Sequence, residues 1–256
     1  MYQFFIENEN VSDGFVTIEG SDVNHMKNVL RMKPGERIRV STRDGRAYFC
    51  EVAELTDLFV RADILEQDEE GTELPCKIYL FQGLPKSDKM ELIIQKAVEL
   101  GVYEVIPVAM KNCVMKLDEK KAKSKITRWQ AIAESAAKQS KRSLIPEIRM
   151  PVTYKEAAAM AAEMDVRLVP YENERGMAAT KEAVEQIKKG QSIAVFIGPE
   201  GGFAPEEIEV VKDEMKLISL GSRILRTETA GFTTLAILMY HIETSCPEQS
   251  VPSDGN

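Results

Sequence analysis

The chain has 256 residues, 44% of them hydrophobic, and a formal net charge of −8, which suits one large or two smaller domains with a real core. No apolar run approaches the roughly 18 residues of a bilayer span, and the acidic N-terminus does not read as a secretory signal. His25 and His241 are the only histidines, and Cys50, Cys76, Cys113 and Cys246 are scattered without a C-x-x-C pair, which argues against a structural zinc site, a Ser-His-Asp hydrolase and a disulfide framework, and for a reducing, cytoplasmic setting.

Residues 1–72 read as a β-rich module. YQFFI, FVTIE, ERIRVST, AYFCEVAEL and LFVRADILE are short strand patterns. Asp44-Gly45 between two of them signals a type I′ hairpin. One helix is expected over about 22–31, capped by Ser21 or Asp22. The stretch 67–72 is acidic and holds a glycine, as linkers do. From residue 73 to 245 strands and helices alternate: KIYLFQG, then a helix capped by Ser87 and Asp88 with Met90, Ile93, Ile94 and Ala97 inward and Gly101 at its end. VYEVIPV, a long amphipathic helix over 120–142, VRLVPY, SIAVFIG, KLISLG and a last helix over about 227–243 follow. Such alternation predicts a mostly parallel α/β sheet. The tail 246–256 has the composition of a disordered segment.

Charge is unevenly spread. Residues 25–46 hold Lys27, Arg31, Lys33, Arg37, Arg39, Arg43 and Arg46 against Glu36 and Asp44. Residues 111–142 hold ten Lys or Arg against Asp118, Glu119 and Glu134. Such runs are either solvated faces or phosphate-binding patches.

Two glycine-bearing loops leave strand ends: IAVFIGPEGGF (193–203) and LISLGSRILRTETAGF (217–232). Loops of this kind are where an open α/β sheet binds ligands. Neither matches a Walker-type phosphate loop or a G-x-G-x-x-G fingerprint. Tight turning toward the helix at Ala204-Pro205-Glu206 explains part of the glycine use; close approach of a flat ligand to bare backbone explains the rest.

GPEGGF and RTETA, in this order and at this distance, resemble the SPOUT class of RNA methyltransferases, and within it the 16S ribosomal RNA uracil-N3 methyltransferases. NHMKNVLRMKPGE (24–36), IIQKAVELGV (93–102), the 116–142 block and PEI (146–148) look like that family too. The resemblance implies a PUA-like RNA-binding β-barrel over 1–72 and a C-terminal parallel sheet closed into an α/β trefoil knot. It implies S-adenosylmethionine as cofactor, no metal, a homodimer, and 16S ribosomal RNA, within the assembled small subunit, as partner. Three loops would form the cofactor pocket: Val169 and Tyr171 from the first; Ile197, Gly198, Pro199, Glu200, Gly201 and Gly202 from the second; Ile218, Leu220, Gly221, Ile224 and Leu225 from the third. Backbone groups would read the adenine edge while Leu220, Ile224 and Leu225 pack on its faces. Arg31, Arg37, Arg39, Arg128, Lys138 and Arg142 are the expected RNA contacts. Asn112 departs from the family, in which an arginine is usual.

Methyl transfer from a sulfonium leaves a neutral thioether, so no general acid is needed. Uracil N3 carries a proton, which a base or a cation stabilising the developing charge helps to remove. Arg226 and Arg223 are candidates for the cation, and Glu200 and Glu228 for the base, although Glu228 sits where a helix dipole alone explains an acid. A methyltransferase for another base or a ribose 2′-hydroxyl, or a non-catalytic ribosome-assembly factor, are the rival readings.

Overall fold

The computed structural model describes residues 1–86 and 88–245. The expected cap at Ser87 and the tail 246–256 lie outside them. The chain divides into two compact units, 1–73 with 134–145, and 74–133 with 146 onward. Residues 134–145, expected in the C-terminal domain, group with the N-terminal unit.

In the first unit, β1 (Tyr2–Ile6), β2 (Val11–Ser12), β3 (Phe15–Glu19), β4 (Arg37–Thr42), β5 (Ala47–Leu55) and β6 (Phe59–Gln67) form one sheet in the order β1-β4-β5-β6-β3-β2. Only β1–β4 is parallel. Contacts between β1 and β3 fold the sheet back on itself around Phe4, Val16, Ile18, Met26, Ile38, Val40, Val52 and Val60. Burial pushes the Cys50 thiol in this core up to about 12, with Asp63 adding to it; such a thiol is inert.

Two local expectations are corrected. The β4–β5 turn is not type I′, because only Gly45 (φ 91°) is left-handed and a I′ turn needs both central residues so. Asp44 instead accepts from Thr42 Oγ1. The helix after β3 is α1 (Ser21–Asn24) followed by a π-turn, His25–Val29, and its cap is Gly20 (φ 74°) with no side-chain hydrogen bond.

The second unit holds β7 (Lys77–Gly83), α2 (Lys89–Glu99), β8 (Glu104–Ala109), most of α3 (Glu119–Ser140), β9 (Glu147–Ile148), β10 (Val152–Thr153), α4 (Tyr154–Ala162), β11 (Val166–Pro170), α5 (Ala178–Glu185), β12 (Ser192–Ile197), α6 (Pro205–Val211), β13 (Lys216–Ile218) and α7 (Thr227–Ser245). The sheet is parallel throughout, ordered β10-β8-β7-β12-β11-β13, with β9 beside β8. β7 and β12 are apolar because both faces are covered, and Phe81 stacks on Phe196 between them at 4.5 Å. From β7 the chain builds outward to β8 and β10, then crosses to the other side. That reversal makes the C-terminal ends of β7 and β12 the sheet's switch point. After β13, at the sheet edge, the chain returns across the strand ends to α7, which packs on α2 and β12. No helix among the described residues is long and apolar enough to cross a membrane.

Candidate active site at the switch point

Four loops gather at the C-terminal ends of the parallel strands. The first follows β7. A Cβ on Gly83 would lie 2.7 Å from both Pro199 N and Pro199 Cδ, so only glycine lets the β12 loop come this close. That second loop, Gly198–Phe203, turns through Gly202 (φ 65°), with Gly202 N–H donating to Pro199 O at 2.9 Å. Behind it, the Asn112 amide donates to Gly201 O (3.0 Å) and Gly202 O (3.2 Å). The buried Glu207 carboxylate accepts from the Lys111 and Ala204 N–H groups, both at 2.8 Å. The Ala204 bond closes the start of α6, and the Lys111 bond ties the segment after β8 to it.

The loop after β13 is fixed by Thr180, whose hydroxyl accepts from Ser219 N–H (3.0 Å) and donates to Ser219 O (2.7 Å). It runs through Gly221 (φ 107°) to Thr227. There the buried Thr227 hydroxyl donates to Gly198 O at 2.6 Å and accepts from Gln82 Nε2 at 3.0 Å. One side chain thus ties both glycine loops to β7. The loop after β11 is joined to β13 by Tyr171 N–H donating to Ile218 O at 3.0 Å.

These loops enclose a cleft of about 760 Å³, inside the ~300–1,000 Å³ range of small-molecule sites. Ten of the expected pocket residues line it: Tyr171, Ile197, Gly198, Pro199, Glu200, Gly202, Leu220, Gly221, Ile224 and Leu225. Three do not. Val169 and Ile218 are buried in β11 and β13, where their side chains serve the core. Gly201 faces away, and its Cβ would meet Asn112 Cβ at 3.0 Å. Lys89, Asn173, Arg175 and Phe203 also line the cleft without having been expected there. A polar Glu-Asn-Glu-Arg run straight after a strand was the available signal for two of them.

Arg223 and Arg226 line the cleft, exposed, and make no side-chain hydrogen bond or ion pair to a described residue. The acids differ. Glu200 accepts from Lys86 N–H at 3.1 and 3.2 Å and lies 3.2 Å from Lys89 Nζ. Burial alone would raise its carboxyl. The bonds from its own N–H, from Lys86 and from Lys89 outweigh this and hold it below the usual carboxylate range. A carboxylate so held stays ionised near neutral pH and is tied to Lys86 and Lys89. Glu228 pairs with the same Lys89 at 3.2 Å.

Of the expected RNA contacts, two are corrected in the first unit. Arg39 is 3% exposed and donates to Asp68 at 2.9 and 2.6 Å, to Gln3 at 3.0 Å and to Ser143 at 2.9 Å. Arg142 is buried against Glu73, which also accepts from Ser143 and Leu144 N–H at 2.8 and 3.1 Å. A guanidinium is buried only with such pairing, so neither is offered to RNA. Lys138 is mostly covered and bound to Asp22 and Glu134. Arg31 and Arg37 are exposed. In the second unit Arg128 is exposed, with Glu91 at 2.8 Å.

Residues 72–239 match the model of an RNA methyltransferase domain, and residues 18–65 that of an RNA methyltransferase PUA domain. The ribosomal RNA small subunit methyltransferase E of Bacillus subtilis is 36% identical over 250 residues, 95% of this chain and 98% of its own. The chain belongs to this RNA methyltransferase family. The family's enzyme from Mesomycoplasma hyopneumoniae is 34% identical over 92% of this chain and 97% of its own. The family's Neisseria gonorrhoeae crystal structure, bound to S-adenosyl methionine, superposes with a TM-score of 0.79 at 31% identity, covering 94% and 97% of the two chains. The parallel sheet and the N-terminal PUA sheet are the two parts that the resemblance implied.

Proposed function

We propose that this protein methylates N3 of a uridine in the 16S RNA of the small ribosomal subunit, with S-adenosylmethionine as methyl donor, in the cytoplasm and as a homodimer. One observation carries the reading: two guanidiniums, Arg223 and Arg226, unpaired among the described residues, share a cleft with backbone-lined glycine loops at the switch point. The residues suit the cofactor. Gly198, Gly202 and Gly221 keep side chains out of the cleft, Leu220, Ile224 and Leu225 offer apolar faces, and loop backbone supplies donors and acceptors for an adenine edge. When bound, S-adenosylmethionine supplies an electrophilic methyl group whose departure leaves a neutral thioether.

The chain's own task is placement and charge. Arg226 stabilises the negative charge that gathers on the uracil oxygens as N3 gives up its proton to water, and Arg223 clamps a phosphate. His25 and His241 both lie outside the cleft lining, so this chain's cleft offers no imidazole of its own for the proton. Arg31, Arg37 and Arg128 contact RNA backbone.

The test is to incubate purified protein and S-adenosylmethionine with small subunits from cells lacking the gene, then map the RNA by mass and by primer extension. A methyl on N3 blocks Watson–Crick pairing and stops the primer at one uridine. A methyl on another base, or on a ribose, which leaves pairing intact, would replace the uracil-N3 reading.

A further inference from the structure

Lys89 opens α2 and lines the cleft. Its ammonium lies 3.2 Å from Glu200 in the glycine loop and 3.2 Å from Glu228 in the first turn of α7. The Lys86 N–H, just ahead of α2, holds Glu200 a second time. One cation therefore joins three segments that are distant in sequence. The Lys89, Glu200 and Glu228 side chains are 30%, 25% and 15% exposed, so water screens this arrangement less than it does a surface pair. Among the described residues, neither carboxylate has another cation within ion-pair distance.

The balance is one positive charge between two negative ones. Without the ammonium, Glu200 and Glu228 would repel each other across the gap it leaves. Glu228 has the dipole of α7 to hold it. Glu200 stands on a loop, and its expulsion would draw Pro199 and Gly201 with it. Asn112 holds Gly201 and Gly202 from behind but does not reach Glu200.

Resting on the cofactor reading of the cleft, we infer that Lys89 is a positioning residue whose charge, shared between Glu200 and Glu228, closes the glycine loop and sets its affinity for S-adenosylmethionine.

Calorimetry of the full chain with S-adenosylmethionine tests this, with circular dichroism as the check on folding. Lys89→Met should weaken binding about tenfold or more, inside the ~5–150-fold span typical of coupling between two sites. Lys89→Arg, which keeps the charge, should stay within about threefold of the parent. Lys89→Met/Glu228→Gln restores the parent's charge balance and should recover most of the loss, which a purely packing role for Lys89 would not allow. A folded Lys89→Met that binds like the parent overturns the inference. So does a folded double variant as weak as the single one. Should Lys89→Met not fold, the double variant decides against Lys89→Arg: equal binding supports the charge tie, and a tenfold deficit overturns it. Failure of the parent itself to bind S-adenosylmethionine would instead overturn the cofactor reading.

Discussion

Gly83→Ala is the smallest change that should dislodge the cleft. Gly83 ends β7 and is not in a left-handed conformation, so alanine brings no backbone strain there. What it brings is a methyl group 2.7 Å from Pro199 N and Cδ and 3.0 Å from Met110 Sδ. Ordinary carbon contact begins near ~3.5 Å, so loop and strand must part by roughly 0.8 Å. Met110 can give way by rotation. Pro199 cannot, because its ring is rigid and its loop is pinned by Thr227, Asn112 and Glu200. Overpacking of this kind costs about 1–3 kcal/mol. The smaller entropy of an unfolded chain carrying alanine offsets about 0.4–1 kcal/mol, leaving a net loss near ~1–2 kcal/mol. Urea titration measures that loss as a lowered midpoint at unchanged slope. The displaced loop should also weaken S-adenosylmethionine binding by calorimetry, about tenfold or more, since a ligand read by backbone groups tolerates little misplacement. A Gly83→Ala protein with parental stability and affinity would refute the close approach of β7 and the glycine loop.

Arg226→Ala should lower methyl transfer about 10²–10³-fold at saturating RNA while cofactor affinity changes far less, as for loss of one preorganised charge stabiliser; Arg226→Lys should rescue poorly, because an ammonium lacks the planar fork. Arg39→Met should cost about 2–4 kcal/mol by leaving the part-buried Asp68 carboxylate without its cation, read by denaturation. Arg31→Glu/Arg37→Glu should leave stability alone and flatten the salt dependence of subunit binding, and an unchanged slope would remove both residues from the RNA face. The carboxyl of Glu200 is held below its ordinary value. Its contribution to stability is therefore present above the unfolded value near 4.5 and is lost as pH falls through the folded one. Between pH 6 and 9 it should stay ionised. With no histidine in the cleft lining, the methylation rate should rise with pH and show no inflection near ~6.5. A histidine-like inflection would reopen the search for a base.

The strands were legible because their signal is local. Alternation and β-branched runs marked β1, β3, β4, β5 and β6, and apolar runs after turn residues marked β7, β11 and β12. The glycine loops were legible for the same reason. What escaped was decided at long range. Arg39 and Arg142 sit in two basic runs that read as exposed faces, yet their partners Asp68 and Glu73 lie 29 and 69 residues away. Strand register alone sends Val169 and Ile218 into the core, although both adjoin loops that line the cleft. Gly201 and Gly202 are neighbours with opposite duties, one backed against Asn112 and one turned through φ 65° beside the cleft.

Asn112 and Lys89 show why a motif understates a site. GPEGGF and RTETA name the two loops, but neither names what holds them. The holding residues come from elsewhere: Gln82 at the end of β7, Lys89 on α2, Asn112 after β8, and Thr180 on α5. Each reaches the loops through one or two hydrogen bonds or ion pairs of 2.7–3.2 Å. A loop rich in glycine is costly to order, and three glycines within Gly198–Gly202 give the isolated chain wide freedom. Supports on several sides remove that freedom before a ligand arrives, so less of the binding energy is spent on ordering the loop. The departure at Asn112 fits this account. Its amide supplies two donors to Gly201 and Gly202 carbonyls and leaves the charge at the back of the loop to Lys111, which pairs with Glu206. A neutral amide is sufficient for those two bonds.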